Sequence, residues 1–361
     1  MKSFDFLGNK IKYFDRVISL GSTSEVAHQL RRIGLRQESM PFDWLSSYFD
    51  DDLFLKAFRT DFSNWLSLKN LKVDEETTSD YLSVTDTYYN MIHPYIFPKI
   101  LSVKAAYPDV NATTQKRVTR LIELQDKKLD LLFIRTNMTA EKAKELSKVL
   151  SSKFGPNVTL LIINHTSSSG LRELPCSIRN TYMFEMDDDN KDNGGNDTLW
   201  NELLKNVRLK ECWSVVRYDN YFTNAYPCEI DEDHHYFRWA KQDATLDLSR
   251  FLGQYIRLTL KSLSPITVDL LDGDKNLIKE FTIETKNEIC FKVETNSYTL
   301  HTHETVSPAR IFGGNDTREL GPMFYDFYIS MNEIKPVDSG IVIPSKKTGA
   351  LDKFKDKLGL K

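Results

Sequence analysis

The chain has 361 residues, of which 48 are basic and 51 acidic, so the formal net charge is −3. This balance argues against a nucleic-acid-binding protein. Hydrophobic residues make up 40% and charged residues 27%, which is typical of a folded globular protein. No apolar run is long enough to cross a bilayer, and the amino-terminal residues lack the apolar core of a signal peptide. We therefore expect a soluble cytoplasmic protein without a transmembrane segment.

The cysteines are few and widely separated. Cys176, Cys212, Cys228 and Cys290 show neither the paired spacing of a zinc module nor the density of a disulfide framework. The sequence predicts no metal site and no cofactor.

The amino-terminal part begins with a strand, a tight turn and a helix. An apolar run at 17–20 meets Gly21, Ser22, Thr23 and Ser24, and apolar residues at 26, 30 and 33 then share one helical face. The following residues, 35–98, are rich in aromatic side chains, and we expect helices and long loops there.

Regular alternation starts near residue 114. Apolar runs at 131–134, 160–163 and 182–184 alternate with helical patterns at 118–122, 143–150 and 198–206, and 212–216 extends the series. This order predicts an α/β domain with a mainly parallel sheet and helices on both faces. Such sheets carry their sites at the carboxyl ends of the strands.

After about residue 229 the pattern changes to short alternating runs separated by turns, which predicts an antiparallel β-sandwich. The expected organisation is an α/β domain at 1–228, a sandwich at 229–335 and a tail at 336–361. Residues 347–361 form a short amphipathic basic helical pattern. It either docks on the body of the protein or makes a weak membrane or partner contact.

Chemistry is expected where the first helix begins. Backbone N–H groups and the helix dipole favour negative charge at Ser24, so a nucleophile there gains an oxyanion hole. Ser24 or Thr23 is alternatively an ordinary helix cap. His28 lies one turn later, near Arg31 and Arg32, on either an anion-binding face or a solvated one.

Three stretches together resemble a known family. Residues 18–27 read ISLGSTSEVA, residues 29–36 read QLRRIGLR, and residues 39–45 read SMPFDWL. They resemble an uncharacterised, mainly bacterial family described as papain-like cysteine peptidases, with the pattern LGSxC, LRRxGLR and PFDW. A histidine motif at 92–94 and an apolar strand ending at Arg135 extend the resemblance.

The resemblance implies a catalytic triad. The family's nucleophilic cysteine falls on Ser24, its histidine on His93 and its acidic member on Asp43. Candidate binding residues around them are Gly21, Ser22, Thr23, His28, Arg32, Arg135 and Asn137.

Serine in place of cysteine is a departure from the family. A hydroxyl is a weaker nucleophile than a thiolate and needs an aligned base, so this chain either uses serine or has lost the reaction. His93 is alternatively a packed core residue, and Asp43 a helix cap. His28 and His234, the latter in an Asp-x-x-His spacing with Asp231, are further candidates for the base.

The carboxyl-terminal part carries a second resemblance. Residues 235–248 and 315–321 look like the opening and closing motifs of β-sandwiches attached to bacterial glycosyltransferases. Asp316 and Arg318 would clamp the final turn as an ion pair, while Trp239 would pack inside the sandwich or stack on a sugar.

The leading hypothesis is a hydrolase or acyltransferase that acts on a glycan or an acylated small molecule, in surface-polysaccharide metabolism. The alternative is a catalytically inactive glycan-binding or scaffolding protein. A glycosyltransferase is disfavoured, because no DxD motif follows a nucleotide-binding strand and helix.

Overall fold

The computed structural model describes residues 5–47, 50–75, 78, 80–167, 169–187, 194–213, 215–233, 235–337 and 340–343. The chain forms two compact units, residues 1–209 and 210–361. Residues 211 and 212 pair with a strand at 323–330, which places the segment after 209 in the second unit. The sequence-based boundary at 228 is therefore later than this division. The helix expected at 347–361 lies outside the described residues, as does His234.

The first unit contains ten strands and five α-helices among the residues described. The strands are β1 (Lys12–Phe14), β2 (Arg16–Ser19), β3 (Leu71–Val73), β4 (Tyr81–Asp86), β5 (Met91–Pro98), β6 (Leu131–Thr136), β7 (Val158–Thr166), β8 (Leu171–Leu174), β9 (Thr181–Asp187) and β10 (Val207–Leu209). The helices are α1 (Glu25–Arg32), α2 (Asp51–Arg59), α3 (Val103–Ile122), α4 (Ala140–Phe154) and α5 (Asp197–Leu203).

A five-stranded sheet forms the centre of the first unit, in the order β2-β6-β7-β9-β8. The first four of these strands are parallel and only β8 runs antiparallel. All six residues of β6 are buried, because a parallel strand covered on both faces must be apolar throughout. The predicted α/β class is confirmed.

The aromatic region at 35–98 differs from its prediction. It contains α2 and a three-stranded antiparallel sheet in the order β3-β4-β5, where helices and long loops were expected. Prolines at 94 and 98 and a register shift between Leu82 and Val84 interrupt the alternation that would have revealed β5. The aromatic rings form a core cluster in which Phe42 contacts Phe58 and Trp65 at centroid distances of 5.4 Å.

The second unit is an antiparallel, sandwich-like domain, as predicted. Its strands are β11 (Glu211–Cys212), β12 (Phe222–Ala225), β13 (Glu229–Ile230), β14 (Tyr236–Asp247), β15 (Tyr255–Lys261), β16 (Ile266–Leu271), β17 (Leu277–Ile283), β18 (Lys286–Lys292), β19 (Ser297–Thr302), β20 (Met323–Ser330) and β21 (Ile341–Val342), with the short helix α6 at Pro308–Phe312.

The long strand β14 joins the two halves of this domain. It pairs with β19 through 243–247 and with β20 through Arg238 and Trp239. The sequence pattern did not reveal β19. In the segment expected to continue the strand series, Cys212 ends β11 and Val215–Arg217 forms a short 3-10 turn. No described helix in either unit is both long enough and apolar enough to span a bilayer.

Candidate functional site

The loop after β2 positions the start of α1. Gly21 and Ser22 both have positive φ, at 70° and 74°. A Cβ on Gly21 would lie 3.1 Å from the Phe42 carbonyl oxygen, so this turn needs glycine. The hydroxyl of Ser22 is buried and has no hydrogen-bond partner among the described residues. These two residues therefore shape the backbone between β2 and α1.

Ser24 precedes α1 and lines a cleft. Its backbone is already helical, with φ −70° and ψ −9°, and its side chain makes no capping hydrogen bond. The Thr23 hydroxyl instead accepts a long bond of 3.4 Å from the Glu25 amide. A cleft of about 240 Å³ lies against Ser24 and is lined by Thr23, Ser24, Trp44, Leu45, Ser46, Pro94 and Tyr95. No histidine is among these lining residues.

His93 lies on β5 but is directed into the core. The side chain is only 4% exposed, and its ring meets the Trp65 ring edge-on at a centroid distance of 6.1 Å. Burial and, to a smaller extent, the positive charge of Arg117 together lower the pKa of His93 to about 4. This histidine is therefore neutral near pH 7 and does not line the Ser24 cleft.

Asp43 is engaged by an arginine. Its Oδ2 accepts hydrogen bonds from Arg36 Nη2 at 2.6 Å and Arg36 Nε at 2.8 Å, and from the Met40 amide at 2.8 Å. Burial raises the pKa of the Asp43 carboxyl, and the Arg36 charge opposes that rise. Within the described ranges, no hydrogen bond joins Ser24, His93 and Asp43.

Arg135 is fully buried and binds the backbone. Its guanidinium donates to the Leu20 carbonyl at 3.0 Å, the Ser47 carbonyl at 2.8 Å and Asp51 Oδ1 at 3.1 Å. It also lies 3.8 Å from the centre of the Phe54 ring. Burial lowers the pKa of Arg135 to about 10. These contacts make Arg135 a link between the end of β2 and the segment that precedes α2.

The remaining candidate residues have separate positions. Asn137 has φ 54° and its Oδ1 accepts from the His165 amide at 3.0 Å, which joins the ends of β6 and β7. Arg32 donates to Asn201 Oδ1 at 2.9 Å and pairs with Asp197 at 3.0 Å, so it connects α1 with α5. His28 is exposed on α1.

Sequence reasoning missed a second histidine and carboxylate pair. Glu25 is 3% exposed; its Oε2 lies 2.7 Å from His165 Nε2, and its Oε1 accepts from Trp200 Nε1 at 2.9 Å. A Cβ on Gly195 would lie 2.3 Å from Glu25 Oε1, so the loop before α5 closely covers this carboxylate. His165 follows the apolar run of β7, and the rule that sites lie at carboxyl ends of parallel strands would have found it.

The second unit has a pocket with aromatic walls. Its volume is about 390 Å³, and it is lined by Trp213, Val216, Arg217, His235, Tyr236, Tyr325, Asp326 and Phe327. Trp213 and Tyr236 are exposed by 37% and 36%. The Arg217 guanidinium lies 4.0 Å from the centre of the Tyr236 ring. This aromatic pocket thus presents flat rings beside polar groups.

The structure shows the positions of the two features that the sequence predicted for this unit, the Asp316 and Arg318 ion pair and Trp239. Arg318 Nη2 lies 2.8 Å from Asp316 Oδ2, and Arg318 Nη1 lies 2.7 Å from Glu229 Oε1, so the expected ion pair is present and extended. Trp239 is only 5% exposed and packs inside the domain. A sugar therefore has no access to stack on Trp239.

The fold and the Ser24 loop define an α/β domain with a hydroxyl side chain at the start of its first helix. Residues 15–167 match the model of a family described as "Putative papain-like cysteine peptidase", and this match confirms the resemblance drawn from the sequence motifs. An uncharacterised protein, R408, of Acanthamoeba polyphaga mimivirus is 28% identical over 219 residues, covering 52% of this chain and 96% of the viral protein.

Solved structures give only distant likenesses. A mutant of the family 29 carbohydrate-binding module CBM29-2 has 10% identity and a TM-score of 0.21, covering 36% of this chain and 99% of its own. A structure described as CBM4 has 11% identity and a TM-score of 0.15, covering 29% of this chain and 74% of its own. TM-scores this low do not establish a shared fold.

Proposed function

We propose that this protein binds a glycan through the aromatic pocket of its second unit, and that its first unit is a catalytically silent relative of the papain-like peptidase family. The observation that carries the proposal is the combination of partly exposed Trp213 and Tyr236 rings with charged groups in one pocket. Sugar rings present C–H groups to aromatic faces and hydroxyl groups to polar side chains. The sequence resemblance suggests a surface polysaccharide as the source of the glycan.

The pocket is organised before any ligand binds. The Tyr325 hydroxyl lies 2.9 Å from His235 Nδ1, and Lys261 Nζ lies 3.1 Å from the centre of the Tyr325 ring. Arg217 holds the Tyr236 ring from one side. Fixed side chains lose little conformational entropy on binding, which favours affinity from a small contact area.

The absence of catalysis is inferred from the Ser24 cleft. A serine nucleophile needs a base within hydrogen-bond reach, and no histidine among the described residues lines that cleft. His93 is buried in the core, and Asp43 is held by Arg36. We infer that the first unit keeps the family fold without the family's chemistry.

Glycan binding can be tested with the full chain on a printed glycan array, followed by affinity electrophoresis in gels that contain a polysaccharide scored by the array. Trp213→Ala and Tyr236→Ala should each abolish retardation in the gel, because each removes one stacking surface. Phe312→Ala is the matched control, since Phe312 is 70% exposed and lies outside the pocket. Retention of binding by both pocket variants, or no signal on the array, would contradict the proposal.

A serine hydrolase or acyltransferase is the second candidate, and one observation favours it. The Ser24 side chain makes no capping bond and lines a cleft at a helix start, where an alkoxide, or a thiolate in the cysteine variant, would be stabilised. A fluorophosphonate probe should label the wild-type chain if Ser24 is activated, and Ser24→Ala should not be labelled. We expect no labelling.

A cysteine substitution gives an independent measure of activation. In Ser24→Cys, the pH dependence of alkylation by iodoacetamide reports the pKa of the introduced thiol. Ser46→Cys, in the same cleft but away from the helix start, is the control. We expect ordinary thiol behaviour in both variants, with a pKa of roughly 8.5. A pKa at position 24 several units below that at position 46 would support the hydrolase instead.

A further inference from the structure

One exposed face of the second unit carries a polar row across four strands. The strands lie in the order β17-β16-β19-β14. Asp269 on β16 is directly opposite Glu280 on β17 and His301 on β19, and His301 is directly opposite Asp243 on β14. His303, two residues after His301, lies beside Asp269 and is anchored by a 3.0 Å bond from its amide to the Thr267 carbonyl.

Asp269 and Glu280 form an unfavourable pair when nothing lies between them. Like charges directly opposite each other destabilise a sheet. Asp269 Oδ2 lies 3.0 Å from His303 Nε2, but Asp269 Oδ1 is buried and has no hydrogen-bond partner in the part of the chain that the structure describes. A buried carboxylate oxygen without a partner is costly, and a cation held by the same carboxylate would offset part of that cost.

We propose that Asp269, Glu280 and His303 bind a Zn²⁺ ion. One ligand atom from each side chain lies within 4.8 Å of the other two. Ligands at tetrahedral angles around Zn²⁺, at about 2.0–2.1 Å from the ion, are separated by about 3.3 Å. The 3.0 Å between His303 Nε2 and Asp269 Oδ2 is already close to that separation. Glu280 is exposed, so its side chain is free to complete the site.

The donor set favours zinc over calcium or magnesium. Ca²⁺ and Mg²⁺ prefer oxygen ligands throughout, whereas an imidazole nitrogen with carboxylate oxygens suits Zn²⁺. Three protein ligands leave one tetrahedral position for water or an oxygen of another molecule. The strand register fixes the backbone of Asp269 opposite that of Glu280, so the backbone of the site is positioned in advance.

The same face provides its own control. His301 Nδ1 lies 2.6 Å from Asp243 Oδ1, which makes a second histidine and carboxylate pair in the same sheet. Among the described residues, Asp269, Glu280 and His303 are the one group of three ligating side chains with this spacing, so the His301 and Asp243 pair lacks a third ligand. His301 should therefore not bind the ion.

The experiment is isothermal titration calorimetry of the EDTA-treated, tag-free full chain with ZnCl₂, with CaCl₂ in a parallel titration. We expect one Zn²⁺ per chain and no comparable heat from CaCl₂. Glu280→Gln, Asp269→Asn and His303→Gln should each weaken Zn²⁺ binding by at least about tenfold, whereas His301→Gln should bind like the wild type. Far-ultraviolet circular dichroism of each variant checks that the fold is retained.

Three results would overturn the proposal: no Zn²⁺ uptake by the wild type, wild-type affinity in His303→Gln, or an equal loss in His301→Gln and His303→Gln. Absorption of the Co²⁺-loaded chain is a second measurement, because a tetrahedral site with a nitrogen ligand gives intense visible bands. Those bands should vanish in His303→Gln and persist in His301→Gln. Neither result depends on whether the protein binds a glycan.

Discussion

The first unit contains two regions where a histidine and a carboxylate were available, and only one of them pairs the two groups. In the region of the sequence motifs at 39–45 and 92–94, Asp43 is bound by Arg36 and His93 is packed against Trp65. At the carboxyl ends of the parallel strands, Glu25 and His165 are 2.7 Å apart. The difference shows that a histidine motif in the sequence locates an imidazole but not its partner. The sheet topology determines which groups meet.

Removal of the Asp43 charge should have the largest effect. Asp43→Asn leaves the Arg36 guanidinium, whose side chain is only 14% exposed, without its carboxylate. Loss of one partner of a buried ion pair costs about 3–5 kcal/mol of unfolding free energy. Urea denaturation monitored by fluorescence would measure this loss.

The control for that variant is Glu145→Gln, which removes an exposed partner of Arg59. Both side chains there are about half exposed, so a loss of about 1 kcal/mol or less is expected. If Asp43→Asn were no more destabilising than Glu145→Gln, the structural role of Asp43 would be wrong and a catalytic role would regain support.

Substitution of Glu25, which pairs with His165, should lower the free energy of unfolding by a smaller amount. Glu25→Ala leaves the Trp200 indole N–H and the His165 ring nitrogen without their acceptor, and we expect a loss of about 3 kcal/mol. Glu25→Gln keeps an oxygen for Trp200 and should recover part of that loss. Equal stability of both variants and the wild type, measured by urea denaturation, would show that the pair does not stabilise the fold.

Protonation of His93 should give the smallest change in the free energy of unfolding. Its folded pKa of about 4 is below the usual value of 6.5, so the unfolded chain takes up a proton first as the pH falls. Stability is therefore kept above pH 6.5 and lost progressively towards pH 4. Between pH 7 and 5, His93 should account for a loss of about 2 kcal/mol.

His93→Phe tests this assignment, because a phenyl ring keeps the packing but cannot be protonated. The variant should lose about 2 kcal/mol less than the wild type between pH 7 and 5, measured by urea denaturation at each pH. If the wild type and His93→Phe lost the same amount of stability between pH 7 and 5, His93 would lie in a solvated position. That result would support its role as a base.

Much of the parallel sheet could be predicted from the sequence, because strands buried on both faces must be continuous apolar runs. β6 and β7 meet this condition. The turn at Gly21 could be predicted because the apolar run that begins at residue 17 ends at residue 20. The small antiparallel sheet at 71–98 was missed because prolines and a register shift disrupt β5. β19 was missed because it is short and its apolar residues alternate with polar ones such as His301.

The site was harder to predict for a physical reason. Burial of a charged side chain depends on what the rest of the chain places over it. Glu25 looks like any first-turn acid of an amphipathic helix, yet Gly195 and Trp200, some 170 residues later, enclose it. Sequence motifs identified Ser24 and its neighbours correctly as a loop between strand and helix. They did not indicate which imidazole, if any, that loop would face.

The contacts of Arg135 give the apolar strand motif that ends at this residue a structural role. The acceptors of its guanidinium are the Leu20 carbonyl after β2 and groups of Ser47 and Asp51, which follow the cleft wall at 44–46. One interior guanidinium therefore acts as a non-covalent crosslink between the strand end that leads to Ser24 and the chain beyond the cleft wall. An apolar replacement would remove that crosslink without removing any of the residues that line the cleft.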